Sequence, residues 1–469
     1  MTETDSPLEW AREPMMGPLD TLMWRGEADR RLRNPICAVE LLDCVPDWDR
    51  LVAAHDWATR MVPRFRQRVQ DSPLGIGAPS WVVDPDFDLH YHLRRMRVPG
   101  DGSMGELFSS VEQIAMTPLD PARPPWEAVL FDGLPGGKAV YLLKVHHAMT
   151  DGLGAIDLLS GLHSATRDPR PGKPQPPPPQ PEHLSPLTVI GRQIAADLNR
   201  LPGAITFAAK ALLGAGRPDH AVRYLRSAFT IAGAASPPGS PLLRGRSISW
   251  RFCAFDIEFA DLRAAARSVG ASVNDAYLAG LISAFRLYHT RSGSPISVMP
   301  VAIPISVRNS GDPAGGNRIA VGRLAAKVTI SDPGELMLAI HKQVDAARHE
   351  PAVDLFNVIG PALAWLPGAA LSLLGASASV NDLQASNVPG IPHDAYLAGA
   401  KVERMYPFGP LPGCAVMAGL VTHGPIACLG INYDAAAIRD PELFAESIVD
   451  GFAEVLALAP DPHRPVRRS

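Results

Sequence analysis

The chain has 469 residues, of which 46% are hydrophobic and 20% charged, and its formal net charge is −4. That is the composition of a folded globular protein too long for one compact core, so two domains are expected. The mildly acidic balance excludes a nucleic-acid binder built on a basic stripe. Five scattered cysteines (Cys37, Cys44, Cys253, Cys414, Cys428) without a CxxC pair fit unpaired thiols in a reducing compartment.

In chain order, the opening "MTETDSPLEW" is acidic and polar, unlike a secretory signal. "KAVYLLKV", Lys138 to Val145, is an apolar run of strand length. "GLGAIDLLSGL", Gly152 to Leu162, has apolar residues at helical spacing. Next, "RDPRPGKPQPPPPQPEHLSP" from Arg167 to Pro186 holds nine prolines, which remove backbone donors and favour an extended, semi-rigid linker. Leu187 to Ala235 is rich in Ala and Leu and reads as helical connection; "LTVIGRQIAADLNRL" carries the apolar face of a packed helix.

The second half begins near Arg246. "ISWRFCAFDI" predicts a strand, and "DLRAAARSVGASVNDAYLAGLISAFRLYHTRSG" predicts helix, turn and helix. Ser272 or Asn274 is placed to cap the second helix. Val273, Tyr277, Leu278, Leu281, Ile282 and Phe285 would share one face of it. "SVMPVAIPISV", "RLAAKVTI", "DAYLAGAKVERM", "GCAVMAGLVTH" and "PIACLGINYD" predict further strands. Leu355 to Asn381 contains no charge and has the length of a membrane span, but Pro361 and Pro367 break it. It reads as a buried or lipid-contacting helix pair. Strands and helices alternate in both halves, which predicts two similar α/β domains over 1–166 and 246–469, joined by the linker and helical connection of 167–245.

The chemistry concentrates in "KVHHAMTDG", Lys144 to Gly152. Successive strand residues point to opposite faces, so only one of His146 and His147 can face a given cavity. That argues against a shared metal ion, and neither HExxH nor paired CxxC is present, so no metal is expected. Histidine, with a reference pKa of about 6.5, is the natural base at neutral pH, and a base needs one imidazole in one tautomer. Asp151 would hold that ring or lock the turn by pairing with an arginine, and Gly152 would admit the backbone to the helix without a Cβ clash. The plain structural alternative is a core histidine and an Asp151 helix cap. No GxSxG, GxxxxGK[ST] or strand-borne GxGxxG occurs, which leaves serine-hydrolase, nucleotide-driven and hydride-transfer chemistry without support.

HHxxxDG in this setting resembles the acyltransferase superfamily of chloramphenicol acetyltransferase, carnitine acyltransferases and peptide-synthetase condensation domains. Further stretches narrow the resemblance: "MGPLDTLMWRGE", "PLDPARPPWEAVLFDGL", "VNDAYLAG", "PISVRN", "GGNRIAVGRLAAKV" and "SNVPGIPHDAYLAGAKVERMYPFGPL". Together they are similar to the bacterial wax ester synthase/diacylglycerol acyltransferase family, over the whole chain except the proline-rich linker. The chain departs from it at "SNVPGIP", where members often carry "SNVPGP", and after "NPICAVELLD".

The resemblance implies two chloramphenicol-acetyltransferase-like domains, each a mixed sheet with flanking helices, with an active-site tunnel at their interface. It implies an acyl-CoA-dependent O-acyltransferase without cofactor, acyl-CoA being a co-substrate and diacylglycerol or a long-chain alcohol the acceptor. His147 would be the general base, acting without an acyl-enzyme, with His146 in support. Asp151 would be structural, with Arg308 as candidate partner. Ser386 and Asn387 stand where a polar group would steady an oxyanion, though turn chemistry accounts for them equally. Asn274 and Asp275 belong near the site or cap a helix. Glu27 occupies the family's N-terminal acidic position. The apolar stretch Leu355 to Val380 would line the acyl tunnel. A cytoplasmic protein peripherally bound to the inner membrane face or lipid droplets is expected; a wax ester synthase and a catalytically silent lipid-binding protein are the competing readings. Oligomeric state is left open.

Overall fold

The computed structural model describes residues 13–71, 75, 77–169, 175–185, 187–196, 198, 237–307, 317, 319–350, 363, 365, 366, 381–391, 393–460, 462 and 466–468. Arg308, most of Leu355 to Val380 and most of the helical connection therefore lie outside the described residues.

The first sheet has six strands in the order β11-β12-β1-β6-β5-β4. Its centre is β1 (Pro35–Leu42) paired antiparallel with β6 (Ala139–His146), flanked by β5 (Trp126–Asp132) and β4 (Leu93–Arg97). A separate ribbon joins β2 (Gln67–Gln70) to β3 (Ser80–Val83). The helices of this half are α1 (Pro18–Gly26), α2 (Trp48–Met61), the single turn α3 (Leu89–His92), α4 (Met104–Met116) and α5 (Gly152–Leu162). Every residue of β6 is buried. Such burial on both faces explains why "KAVYLLKV" reads as a continuous apolar run rather than an alternation. The described part of the proline-rich stretch runs along α2, where Arg60 donates to the Pro176 carbonyl and Gln175 to Asp56.

The second sheet has seven strands in the order β15-β7-β14-β13-β10-β8-β9. They are β7 (Trp250–Glu258), β8 (Val298–Ser306), β9 (Ile319–Lys327), β10 (Leu383–Val388), β13 (Val416–His423), β14 (Ile426–Asp434) and β15 (Arg467–Arg468). Against one face pack α6 (Phe259–Ser268), α7 (Val273–Arg291), α8 (Pro333–Arg348) and α9 (Pro441–Leu456). Ser272 fills the N-cap of α7 in a capping box with Asp275. Buried residues surround α7 rather than striping it, because α6, α8, α9 and the sheet all contact it.

"DAYLAGAKVERM" is a hairpin rather than one strand. Ala398 and Gly399 both take positive φ between β11 (Tyr396–Leu397) and β12 (Ala400–Phe408), as a two-residue hairpin loop requires. β12 does not join the sheet of its sequence neighbours. It pairs with β1 and so completes the first sheet. On its way it crosses the second sheet at a cross-strand pair of glycines, Gly419 and Gly430. A Cβ at 430 would lie 2.1 Å from the Pro407 oxygen, so the crossing tolerates no side chain there. Around it, Tyr406 and Phe408 of β12 form one apolar layer with Phe252, Met417 and Cys428 of the second sheet and with Val39, Val129 and Leu142 of the first. Phe252 and Phe408 stack at 4.2 Å, and Asp256 of β7 accepts from Arg404 at 2.6 Å and from the Tyr406 hydroxyl at 2.8 Å.

All five cysteines are free thiols, four of them buried. No described helix is long and apolar enough to cross a membrane.

Candidate active site

β6 leaves its sheet after His146. The His147 N–H still donates to the Asn34 carbonyl at 2.8 Å, one step beyond the β1–β6 register, and His147–Met149 then form a 3₁₀ turn before α5. The first histidine is thus the last residue of the strand and the second the first of the turn. Two residues upstream, buried Lys144 ties β6 to the C-terminus of α4. Its ammonium donates to the Ile114 and Thr117 carbonyls at 2.7 and 2.6 Å and to Glu127 at 2.8 Å. Burial still depresses its pKa to about 8.

His146 is buried. Its Nδ1 accepts the Ala148 N–H at 3.0 Å, which leaves the ring proton on Nε2, 3.0 Å from Glu27 Oε1. The Trp24 ring meets it edge-on at 4.9 Å. Glu27 Oε1 also accepts the Asn34 N–H at 2.6 Å. Burial works to raise the Glu27 pKa, but the hydrogen bond and charge of His146, with that backbone donor, outweigh it and lower the carboxyl below its ordinary value.

His147 is half-buried, with its Nδ1 buried and without a hydrogen bond. Desolvation holds its pKa below the ordinary histidine value, against the upward pull of its own carbonyl, the Asp151 charge and the Asn317 amide. The ring is thus neutral at physiological pH, the state a base requires. Asp151 is buried and caps α5, accepting the Gly154 N–H at 2.9 Å. Gly152 follows at the first helical position. A Cβ there would meet Val388 Cγ2 at 2.8 Å, so this glycine serves the close approach of β10 to the histidine turn.

That approach separates Ser386 from Asn387. Leu383 and Ala385 sit in the core of the second sheet, so alternation puts Asn387 on their face and Ser386 on the face of Val388, toward α5. Both residues are half-buried. Asp275 is buried at the start of α7, accepting from the Ser272 N–H and hydroxyl at 2.9 and 2.7 Å, with His341 Nδ1 at 2.9 Å. Asn274 beside it is half-buried, and no described hydrogen bond links this pair to the histidine turn. Arg308 lies outside the described residues.

Two residues join the site without having been singled out in the sequence. Asn317 Nδ2 donates to the His147 carbonyl and to Asp20 Oδ1, each at 2.6 Å. Asp20, on α1, is buried, which pushes its carboxyl up to about 6 against the Asn317 hydrogen bond and the Arg64 charge. Both residues fall inside stretches that carry the family resemblance, "MGPLD" and "GGNRI", but neither shows by spacing that it meets a histidine.

A family model for the wax ester synthase/diacylglycerol acyltransferase catalytic domain matches residues 16–277, and that for the family's C-terminal domain matches residues 315–455. The chain is 44% identical over 456 residues to a protein of Mycobacterium tuberculosis H37Rv named "Putative diacyglycerol O-acyltransferase", covering 95% of this chain and 92% of the relative. A second protein of that strain with the same enzyme name is 30% identical over 419 residues, 84% of this chain and 85% of its own. Among solved structures, the wax ester synthase/diacylglycerol acyltransferase from Marinobacter aquaeolei VT8 superposes with a TM-score of 0.63 at 22% identity, covering 95% of this chain and 99% of that one. The first condensation domain of the calcium-dependent antibiotic synthetase gives 0.63 at 16% identity, over 97% and 98%. These two likenesses establish the expected α/β fold of two sheet-bearing units. The two family domains and the full-length relatives establish more than the fold: the chain belongs to the wax ester synthase/diacylglycerol acyltransferase family of acyltransferases.

Proposed function

We propose that the protein transfers a long-chain acyl group from acyl-CoA to diacylglycerol, forming triacylglycerol, with His147 as general base and no covalent intermediate. The observation that carries this reading is the division of labour between the histidines. His146 Nδ1 is taken by the Ala148 N–H and its Nε2 lies within 3.0 Å of the Glu27 carboxylate, whereas His147 is neutral, partly open and buried at Nδ1, which leaves Nε2 for a substrate. The acceptor hydroxyl gives its proton to Nε2 as its oxygen attacks the thioester carbonyl. The tetrahedral intermediate collapses, the C–S bond breaks, and the CoA thiolate recovers the proton from the imidazolium. Products are the ester and free CoA.

Holding both substrates at one imidazole makes the step effectively unimolecular. Ser386, on the face of β10 turned toward α5, is the candidate donor to the oxyanion. Acyl-CoA and acceptor would meet in a tunnel where the ends of β6 and β10 converge. No cofactor takes part, and the protein would meet its lipid substrate peripherally, at a membrane or droplet surface. The 44%-identical relative bears the name of a diacylglycerol O-acyltransferase, which favours that acceptor over a long-chain alcohol.

The test is CoA release by purified protein given palmitoyl-CoA with diolein or hexadecanol in separate reactions. Diolein-dependent release is expected, falling at least about 1,000-fold in folded His147→Ala. Release with hexadecanol alone would make the protein a wax ester synthase; an active, folded His147→Ala would end the base assignment.

A further inference from the structure

Two orphaned polar atoms lie next to the proposed base. His147 Nδ1 and Asn317 Oδ1 are both buried, and neither has a hydrogen-bond partner. Buried polar atoms are rarely left so, and each such atom calls for an account. These two belong to residues already bound to each other, through Asn317 Nδ2 and the His147 carbonyl at 2.6 Å.

The orientation of the amide follows from its partners. Nδ2 faces two acceptors, the His147 carbonyl and the Asp20 carboxylate, the latter also at 2.6 Å. An oxygen in that place would face two oxygens, so the nitrogen must stand there and both of its protons are spent. Oδ1 is then the part of the amide with an acceptor to offer, and the Nδ1–H of the neighbouring ring is a donor that, among the described residues, faces its own residue's carbonyl and makes no well-formed hydrogen bond. The side-chain hydrogen bond of Asn317 acts on the imidazole in the direction this pairing predicts, favouring the protonated ring.

We propose that Asn317, clamped by Asp20, is the positioning residue of His147: its Oδ1 accepts a hydrogen bond from the Nδ1–H in the substrate-bound enzyme, fixing the tautomer that leaves the Nε2 lone pair free for the acceptor hydroxyl. The clamp joins three parts of the chain, α1, the histidine turn and the segment leading into β9. The ring's other electrostatic neighbours are its own carbonyl and Asp151 at the head of α5, which raise its pKa, and His146 at the end of β6, which lowers it. None of them makes a well-formed hydrogen bond to Nδ1. The inference rests on His147 being the base.

The test pairs kinetics with a tautomer measurement. In the palmitoyl-CoA and diolein assay, Asn317→Leu, similar in shape but without polar atoms, is expected to lose about 10–100-fold in kcat, the range for outer partners of a functional histidine. Its KM for palmitoyl-CoA should stay within about threefold, because the interaction acts on the base rather than on substrate binding. The acid limb of the kcat profile should move to lower pH, since a contact favouring the protonated ring has gone. Unchanged kcat, or a fall in kcat with an unmoved acid limb, overturns the proposal.

The second measurement needs no Asn317 variant and no substrate. In histidine-labelled protein, the nitrogen-15 signals missing from His147→Ala identify the His147 ring, which should carry its proton on Nδ1. An Nε2–H tautomer overturns the proposal even if Asn317→Leu does not fold. Failure of the base assignment reads differently: His147→Ala itself would remain active.

Discussion

Asp20 keeps a carboxylate in apolar surroundings, and the cost depends on pH. Its pKa is pushed from an ordinary 3.8 to about 6, so between those values the folded protein holds a proton that the unfolded chain has lost. Stability from this group is complete below about pH 4 and is lost as pH rises through about 6, an effect of up to about 3 kcal/mol. Asp20→Asn keeps an oxygen for Asn317 but does not titrate. Its melting temperature relative to wild type should therefore climb from about pH 4 to about pH 6 and level off above that. A constant offset across that range would show that Asp20 does not titrate there. At this scale the sequence revealed what lies close along the chain. His146, His147, Asp151 and Gly152 occupy seven residues around one turn, and their types announce their chemistry. Asn317 stands 297 residues from Asp20 and 170 from His147. A lone asparagine after two glycines reads as a turn residue until the fold brings it to His147.

The histidine turn works because the elements on either side are fixed. β6 is anchored through Lys144 to the end of α4, and α5 is anchored through its Asp151 cap. Asp151→Ala should remove about 1 kcal/mol of cap energy and leave the free N–H groups of α5 beside the histidine turn. The expected outcome is a lower melting temperature together with partial loss of activity. Complete loss of activity at an unchanged melting temperature would assign Asp151 a part in the chemistry. Element types were largely readable: the runs leading to β6, α5, β7, α7, β13 and β14 stand within a few residues of their predicted bounds. What misled was local backbone. Nothing in "KVHHA" says that the strand ends at the first histidine and that a 3₁₀ turn begins at the second. Likewise Ala398 takes a positive φ that alanine seldom adopts, so "YLAGAK" does not display its hairpin.

At the scale of the whole molecule, strand order was beyond the sequence. The apolar pattern of β12 shows a strand but not which sheet receives it; pairing with β1, more than 350 residues upstream, is decided by tertiary packing. The glycines beneath the crossing admit a direct check. Gly430→Ala would press a methyl against the Pro407 backbone, and its cost should be about 3 kcal/mol or more, because backbone on both sides cannot yield cheaply. A denaturant midpoint equal to wild type would mean that the crossing is looser than 2.1 Å implies.

The same crossing limits how the enzyme can breathe. A clam-shell enzyme admits bulky substrates by swinging its two halves apart and shutting them again. Here one strand is hydrogen-bonded into the first sheet while its backbone lies against the second, held there by Arg404, Tyr406 and Phe408. Parting the halves would tear β12 from one sheet or the other. The motion left to them is a pivot about that strand, small near the crossing and larger with distance from it. On the proposed function, a long acyl chain would thread into place, and the residues along the seam, rather than a hinge, would set how fast product leaves.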